Sequence, residues 1–289
     1  MRRINWKLIG IVLLWCIGLS AVISSLAFTE IKQRDVLCKS ILIDINRSDE
    51  NYFISKEDIR SILFSAGDSL VGTAANKIPL SLLERLLIAN KYIKDAKVFI
   101  DVKGNLQVSI EQRKPLLRII NANNASYYVD VEGYKMPLSS LYSAHTIISN
   151  GFIEEQYDAK NDTIQTELLK SLFALSQYIH RSDFWEAQIE QIYVEANQDF
   201  VFVPRVGDHK IIFGDTSNML EKFDNLMIFY KKALPKVGWQ TYHTINVKYK
   251  GQIVASRNDI AEPIIATRID STETAKDSLI EESIKNNIN

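Results

Sequence analysis

The 289 residues carry 34 basic and 35 acidic side chains, a net charge of −1, which gives the chain no electrostatic footprint for DNA or RNA. The chain has two cysteines, Cys16 within an apolar run and Cys38 beyond it, and they cannot reach each other if that run is a membrane helix. We therefore exclude a disulfide framework. The length of the chain leads us to expect two modest domains, each stabilised by its own apolar core.

The N-terminal segment has the features of a single membrane span. Residues 9–28 are uncharged and follow three cations, Arg2, Arg3 and Lys7. Twenty helical residues at about 1.5 Å each cover the roughly 30 Å hydrocarbon core once. By the positive-inside rule, residues 1–8 form a short cytoplasmic head and everything after residue 28 lies outside the cytoplasm. The pattern predicts a single-pass protein of the cytoplasmic (inner) membrane with extracytoplasmic domains.

A cleaved signal peptide is the alternative interpretation of this segment. Ser25, Leu26 and Ala27 offer small residues at the spacing that a signal peptidase recognises. The apolar core of a secretory signal is usually about 7–15 residues long, and a run of about twenty favours retention as an anchor.

The first part of the predicted domain at 39–112 contains a strand and a capped helix. Residues 40–46 alternate partly between apolar and polar side chains and are typical of a strand. Ser55 and Asp58 stand at capping-box spacing at the start of a helix, and Gly67 is placed to end it.

The second part of this domain is predicted to be a helix and a hairpin. Leucines on one face favour a helix from about Pro79 to Asn90. Two alternating runs follow, 98–102 and 106–110, joined through Gly104. The predicted order of elements is therefore strand, helix, helix, strand, strand.

Residues 113–258 are predicted to form a second domain of strands interleaved with two longer helices. Apolar residues at helical spacing place these helices at 163–180 and 219–232. The strands are predicted at 116–121, 126–131, 189–195, 200–204, 209–213, 241–247 and 252–257. Residues 259–289 are polar, cannot bury enough apolar surface to offset ordering entropy, and are predicted to be a disordered tail. The fold class is α+β.

The sequence contains no recognisable arrangement of catalytic or metal-binding residues. The signatures GxSxG, HExxH, GxGxxG, the P-loop and a serine followed three residues on by lysine are all missing. The four histidines are far apart in sequence, and each is interpreted as an ordinary surface or partly buried imidazole: His145, His180, His209 and His243. We therefore predict a protein that acts by binding, with no enzymatic activity, no cofactor and no metal.

Residues 106–119 and 127–138 together resemble the cell-division protein family FtsQ (DivIB). In that family an arginine and a proline mark the junction between two domains, here Arg113 and Pro115. An aspartate and a glycine then make the following hairpin, and Asp130 with Gly133 match them. The resemblance extends to the order of a short head, one span, a POTRA domain and a mixed β domain.

The resemblance implies a non-enzymatic scaffold of the bacterial division machinery, the divisome, located at the division septum. It further implies that the β domain binds the single-span partners FtsB and FtsL and links early and late division proteins. The POTRA domain is expected to contact other divisome proteins. No small-molecule substrate and no nucleic acid is expected.

The partner-binding site is expected along the last strand of the β domain. In the family this strand takes the FtsB segment, and a final strand of a sheet tends to leave an unpaired row of N–H and C=O groups to which a partner strand can be added. The corresponding residues are Gly251, Gln252, Ile253, Val254, Ala255, Ser256 and Arg257, with Tyr249 at the preceding turn. An ordinary terminal strand with nothing bound is the alternative interpretation.

Two other functions are compatible with the sequence. One is an envelope protein transport or assembly factor that uses a POTRA domain as a chaperone, although no run of strands long enough for a large β-barrel accompanies it. The other is a cell-wall hydrolase, which would need an acid and a base brought together by folding.

Overall fold

The computed structural model describes residues 14–22, 24, 36–46, 52–65, 67 and 70–257. These residues divide into two compact units. The first contains the chain up to Ile148 together with Glu154–Gln177, and the second contains Ser149–Ile153 together with the chain from Tyr178 onward.

Residues 14–22 and 24 are helical. No helix within the described ranges is both long and apolar enough to cross a membrane. The predicted head at 1–8, the predicted tail at 259–289 and about half of the predicted span at 9–28 lie outside the described residues.

The first unit begins with the five elements predicted from the sequence, in the predicted order. They are β1 (Ser40–Asn46), α1 (Lys56–Phe64), α2 (Leu80–Ile88), β2 (Ile93–Ile100) and β3 (Asn105–Gln112). The strands form a sheet of order β1-β3-β2, in which β3 pairs parallel with β1 and antiparallel with β2. The α-helices supply the connection that a parallel pair requires.

Both helices of this domain follow from local sequence signals. The Asp58 N–H donates to Ser55 Oγ at 3.1 Å, and the Ser55 N–H donates to Asp58 Oδ2 at 2.9 Å, which completes the predicted capping box. Each helix also buries two apolar residues completely, such as Leu63 and Leu83, and each such burial contributes about 1.5–3 kcal/mol. Cys38 lies in the same core, 1% exposed, and packs as a small apolar residue.

The first unit continues with an antiparallel meander and most of a long helix. Its elements are β4 (Pro115–Ile120), β5 (Ser126–Asp130), β6 (Lys135–Pro137) and α3 (Glu167–His180), whose last three residues belong to the second unit. The predicted start of α3 at residue 163 is wrong. Thr166 caps the helix, because its Oγ1 accepts the Leu169 N–H at 3.2 Å, and Glu155 accepts the N–H groups of Gln165 and Thr166.

Arg113 of the predicted domain junction and Asp130 of the following hairpin are in contact, and these two residues with Pro115 and Gly133 are called the junction motif below. Arg113 Nη1 lies 2.8 Å from Asp130 Oδ2, and Asp130 Oδ1 accepts the N–H groups of Glu132 and Tyr134. Burial raises the pKa of Asp130, while these hydrogen bonds oppose the rise. The hairpin between β5 and β6 is therefore fixed to the end of β3 by a buried ion pair.

An aromatic cluster adds a second connection inside the first unit. Phe53 is 1% exposed, stacks on Tyr92 at 5.7 Å between ring centroids, and meets Tyr128 edge-on at 5.8 Å. The Tyr92 hydroxyl donates to the Leu138 carbonyl at 2.8 Å. Aromatic pairs of this geometry contribute about 0.5–1.5 kcal/mol each beyond the area they bury.

The second unit is a sheet covered by a helical crossover. Its elements are the end of β7 (Ile147–Gly151), α4 (Asp183–Gln188), β8 (Ile189–Val194), β9 (Phe200–Pro204), β10 (Lys210–Gly214), α5 (Met219–Lys232), α6 (Leu234–Val237), β11 (Tyr242–Asn246) and β12 (Val254–Arg257). The sheet order is β8-β9-β10-β11-β12, antiparallel except for the parallel pair β10–β11, which α5 and α6 connect. The bounds predicted for α5 are confirmed, whereas β7, α4 and α6 were not predicted.

Candidate protein-binding edge

Strand β12 is the last strand of the second unit's sheet. Val254, Ala255 and Ser256 pair with Asn246, Ile245 and Thr244 of β11 in antiparallel register. In the part of the chain that the structure describes, β11 is the neighbour of β12 on one side and no strand lies on the other. One row of β12 backbone groups therefore faces away from the sheet.

A tight turn places β12 in this register. The Lys248 N–H donates to Asn246 Oδ1 at 2.9 Å, and Gly251 adopts a φ of +70°, a conformation that favours glycine. Lys248 is further held by an ion pair to Asp199. The strand begins at Val254, two residues later than predicted, because Gln252 still belongs to the turn and its N–H donates to the Tyr249 carbonyl at 3.4 Å.

The two faces of β12 differ. Ala255 lies opposite Ile245, which is fully buried, so Ala255 is on the core side of the sheet. Val254 lies on the other face and is 48% exposed. Successive side chains of a strand alternate in this way, so a short strand can offer both an apolar and a polar surface to a neighbour.

A groove runs beside the start of β12. It has a volume of about 280 Å³ and lies between α5, which contributes Ile228, Phe229 and Lys232, and the turn residues Gly251 to Ile253. Ile228 is 53% exposed there, on the side of α5 that faces away from the core. The groove is therefore an apolar depression with a cation at its rim.

The structure gives the predicted site residues different positions. Val254 to Arg257 form the strand, Gly251 to Ile253 line the groove, and Tyr249 is 51% exposed on the turn. The sequence analysis missed Ile228, Phe229 and Lys232 as groove residues. An apolar residue on the outward side of this helix, Ile228, was the one signal that could have indicated a groove.

Among the described residues, no group of three or more His, Cys, Asp or Glu side chains could hold a metal ion. His209 is buried at 1% exposure, and its Nε2 lies 2.7 Å from the Tyr230 hydroxyl. Burial lowers the pKa of His209. This pair lies within an aromatic core that includes Trp185 and Trp239, so we interpret it as a packing element.

The edge strand β2 of the first unit has a different environment. The Val98 N–H donates to Glu84 Oε1 of α2 at 2.8 Å, and the Ala96 N–H donates to Asp95 Oδ1 at 2.9 Å. Two outward donors of β2 are thus occupied by carboxylates of the same chain. Within the described ranges, no side chain makes such a bond to the backbone of β12.

Comparison with family models identifies both parts of the chain. A POTRA-like domain matches residues 36–111, and the model described as FtsQ/DivIB, C-terminal related, matches residues 114–256. Arg113 lies between the two matched regions. Comparison with curated proteins finds no matching relative. The fold and the matches together define the class of protein, a non-enzymatic scaffold built from a POTRA-like domain and a mixed sheet domain.

The chain belongs to the FtsQ/DivIB family of cell-division proteins. The family assigns it a scaffold role at the division septum, in association with the membrane. The family resemblance carried by the junction motif is confirmed.

Proposed function

We propose that this scaffold captures a strand of an FtsB-type partner along β12, and that FtsL, another single-span division protein, joins the same complex. The observation that carries the proposal is the row of outward backbone groups on Val254 to Arg257. The scaffold would then link early and late division proteins through main-chain hydrogen bonds, a mode of recognition known as strand addition.

Backbone pairing alone is too weak for stable capture. Four residues of β12 offer about two to four outward hydrogen bonds, each with a net value of about 0.5–1.5 kcal/mol. A micromolar complex needs about 8 kcal/mol. Side-chain contacts must therefore contribute, and an apolar side chain buried beside Ile228 and Phe229 would contribute about 1.5–3 kcal/mol.

The groove also gives the pairing its specificity. A partner strand beside β12 would carry alternate side chains toward the groove and toward solvent, because strand side chains alternate. Lys232 at the rim and Arg257 at the end of the strand favour acidic residues at those points of the partner.

Two proline substitutions test the proposal. The N–H groups of adjacent residues in a strand point to opposite sides, so one of Val254→Pro and Ala255→Pro removes an outward donor and the other removes a bond to β11. We expect the outward variant to lose FtsB capture by at least about tenfold while its circular dichroism and melting curve stay those of a folded protein. Ser256→Ala keeps its N–H and serves as the matched control, which should bind normally. Unchanged capture by two folded proline variants would contradict the proposal.

A crosslinking experiment in living cells identifies the occupant directly. A photoreactive amino acid at Ile253, which lines the groove, is expected to capture an FtsB-type segment. The same amino acid at Phe99, exposed on β2 of the first unit, provides the control. Capture of the same protein at both positions would argue against a site at β12.

We also propose the predicted topology: head at 1–8, membrane span at 9–28, POTRA domain at 39–112, β domain at 113–258 and tail at 259–289, with the domains in the periplasm. The charge pattern of the N-terminal segment supports this arrangement. A phosphatase that is active only outside the cytoplasm, fused after Asn289, should be active, and a fluorescent fusion should gather at midcell. An inactive phosphatase would contradict the proposed topology. An even distribution of the fluorescent fusion around the envelope would contradict a location at the division septum.

A further inference from the structure

The chain segment that contains most of α5 and all of β12 carries positive charge and no negative charge of its own. From Asn225 to Arg257 the sequence contains no aspartate and no glutamate. Five exposed cations of this stretch have no carboxylate within 4 Å among the described residues: Lys231, Lys232, Lys236, Lys250 and Arg257. By contrast, Lys248 is neutralised by Asp199.

The surface of this segment includes an uncovered apolar side chain. Ile228 is about half exposed, and the groove between α5 and the turn before β12 has room for a side chain of leucine or isoleucine size. An occupant of this surface needs carboxylates together with aliphatic residues.

The chain itself has such a segment directly after β12. Residues 259–282, which lie outside the described ranges, contain seven acidic and two basic residues. The acidic residues are Asp259, Glu262, Asp270, Glu273, Asp277, Glu281 and Glu282. Aliphatic pairs stand between them, Ile264 with Ile265 and Leu279 with Ile280.

The segment is long enough to reach the groove. The groove residues Gly251 to Ile253 precede Arg257 by four to six positions, about 13–20 Å along a strand. A flexible chain of 24 residues has a root-mean-square length of about 25–29 Å. Because the segment is tethered, its effective concentration at the groove is of the order of millimolar, so a weak affinity is sufficient for occupancy.

We propose that residues 259–282 dock on the groove and edge formed by α5 and β12 of the same chain, and that they compete there with the partner strand. The docking depends on the charges and the groove alone, whereas the competition rests on the proposed function. A partner must then displace an acidic segment before it pairs with β12.

Zero-length carbodiimide crosslinking of the full-length protein in nanodiscs tests the docking. We expect bonds from the carboxylates of 259–282 to Lys232 and Lys250, within one chain as shown by mixing isotope-labelled and unlabelled protein. The double variant Lys232→Gln, Lys250→Gln should lose them, and about 0.5 M salt should weaken them because the Debye length falls below about 5 Å. Bonds spread evenly over lysines of the first unit such as Lys103, or bonds between chains only, would overturn the proposal.

Hydrogen exchange at residues 252–257 supplies an independent measurement. Substituting the seven acidic residues by Asn or Gln should raise exchange there about tenfold if the docked state exceeds the open one by about ten to one. The matched control replaces Arg268, Lys276 and Lys285 by Gln and should leave exchange as slow as in the unmodified protein. Equal exchange in the unmodified and the neutralised protein would overturn the docking.

Affinity for an FtsB segment then separates the two proposals. If both are correct, the neutralised tail variant binds the segment about tenfold more tightly, because no competitor has to leave. If crosslinks and exchange behave as expected but no variant binds the segment, the docking stands and the proposed function fails. If the segment binds with the same affinity to both proteins, the competition is overturned.

Discussion

Strands β2 and β12, each at the edge of a sheet, show contrasting treatments of the same physical problem. An edge presents unpaired N–H groups to any passing strand, which is a hazard unless the protein covers it or uses it. On β2 the donors of Val98 and Ala96 bond to the carboxylates of Glu84 and Asp95. On β12, within the described residues, the outward donors have no such acceptor.

This difference separates a closed edge from an open one in the same chain. Phe99 on β2 is 52% exposed and Val254 on β12 is 48% exposed, so apolar exposure alone does not distinguish them. The distinguishing feature is whether a neighbouring carboxylate occupies the backbone donors. Each edge can be altered separately by substitution, and the other edge then serves as its reference.

The largest expected effect comes from the strand that supports β12. Ile245 is fully buried on β11, so Ile245→Ala should reduce the free energy of unfolding of the second unit by about 2–5 kcal/mol, measured by chemical denaturation. Capture of the partner by β12 should weaken in this variant, because β12 pairs with the destabilised β11. Val108→Ala in β3 is the matched control and should destabilise the first unit while β12 keeps its binding. Equal loss of binding in both variants would mean that the edge is not independently supported.

Opening the closed edge is expected to have the next largest effect. Glu84→Ala removes the acceptor of the Val98 N–H, which should cost about 1–2 kcal/mol and allow β2 edges of two molecules to pair. Sedimentation velocity should show concentration-dependent self-association. Glu84→Gln keeps an acceptor and should not self-associate, and Glu57→Ala on the exposed side of α1 should behave as the unmodified protein. Self-association of the Glu57 variant would show that β2 is not responsible.

The turn before β12 should respond to the side chain at residue 251. Gly251 has a φ of +70°, and a methyl group at its Cα would meet no atom within 4 Å, so Gly251→Ala introduces backbone strain without a clash. We expect a loss of about 1–2 kcal/mol, seen as a lower melting temperature. Gly251→Asn should lose less, because asparagine tolerates this conformation. Equal melting temperatures for all three proteins would show that the turn is not fixed by residue 251.

The smallest expected effect is a loss of folding stability at acid pH, and it depends on Asp215 in the crossover that leads to β11. Hydrogen bonds from Ser217, together with Lys222, lower the pKa of Asp215 to about 2. A carboxyl whose pKa is lower in the folded state stabilises the fold above its ordinary pKa near 4, and this contribution is lost as the pH falls toward 2. Because the Asp215 side chain is 66% exposed, we expect less than about 1 kcal/mol. Denaturation curves of Asp215→Asn should lack this part of the pH dependence, and an unchanged dependence would contradict the assignment.

Long elements with a clear period were predictable. Residues 219–232 have both the period and the length of a helix, and α5 has those bounds. Short elements were not: β6 has three residues and α6 four, too few for any period to show, and their geometry depends on neighbours distant in sequence. The start of α3 was predicted four residues too early because apolar spacing says nothing about Glu155, which accepts the N–H groups of Gln165 and Thr166.

The candidate site divides in the same way. Alternation and position in the chain identified the last strand, since both are local properties of the sequence. The groove was not predictable, because Ile228 and Ile253 are 25 positions apart and meet only when α5 packs beside the turn.

The sequence by itself determined the order of elements, the junction motif, the family and the charges on either side of Arg257, because each depends on residues that are close together in the chain. Only the tertiary structure decided which edge is closed and which is open. That outcome depends on contacts such as Glu84 with Val98, in which a helix brings a carboxylate to a strand 14 residues away. Burial and hydrogen bonding of this kind exist only after the chain has packed.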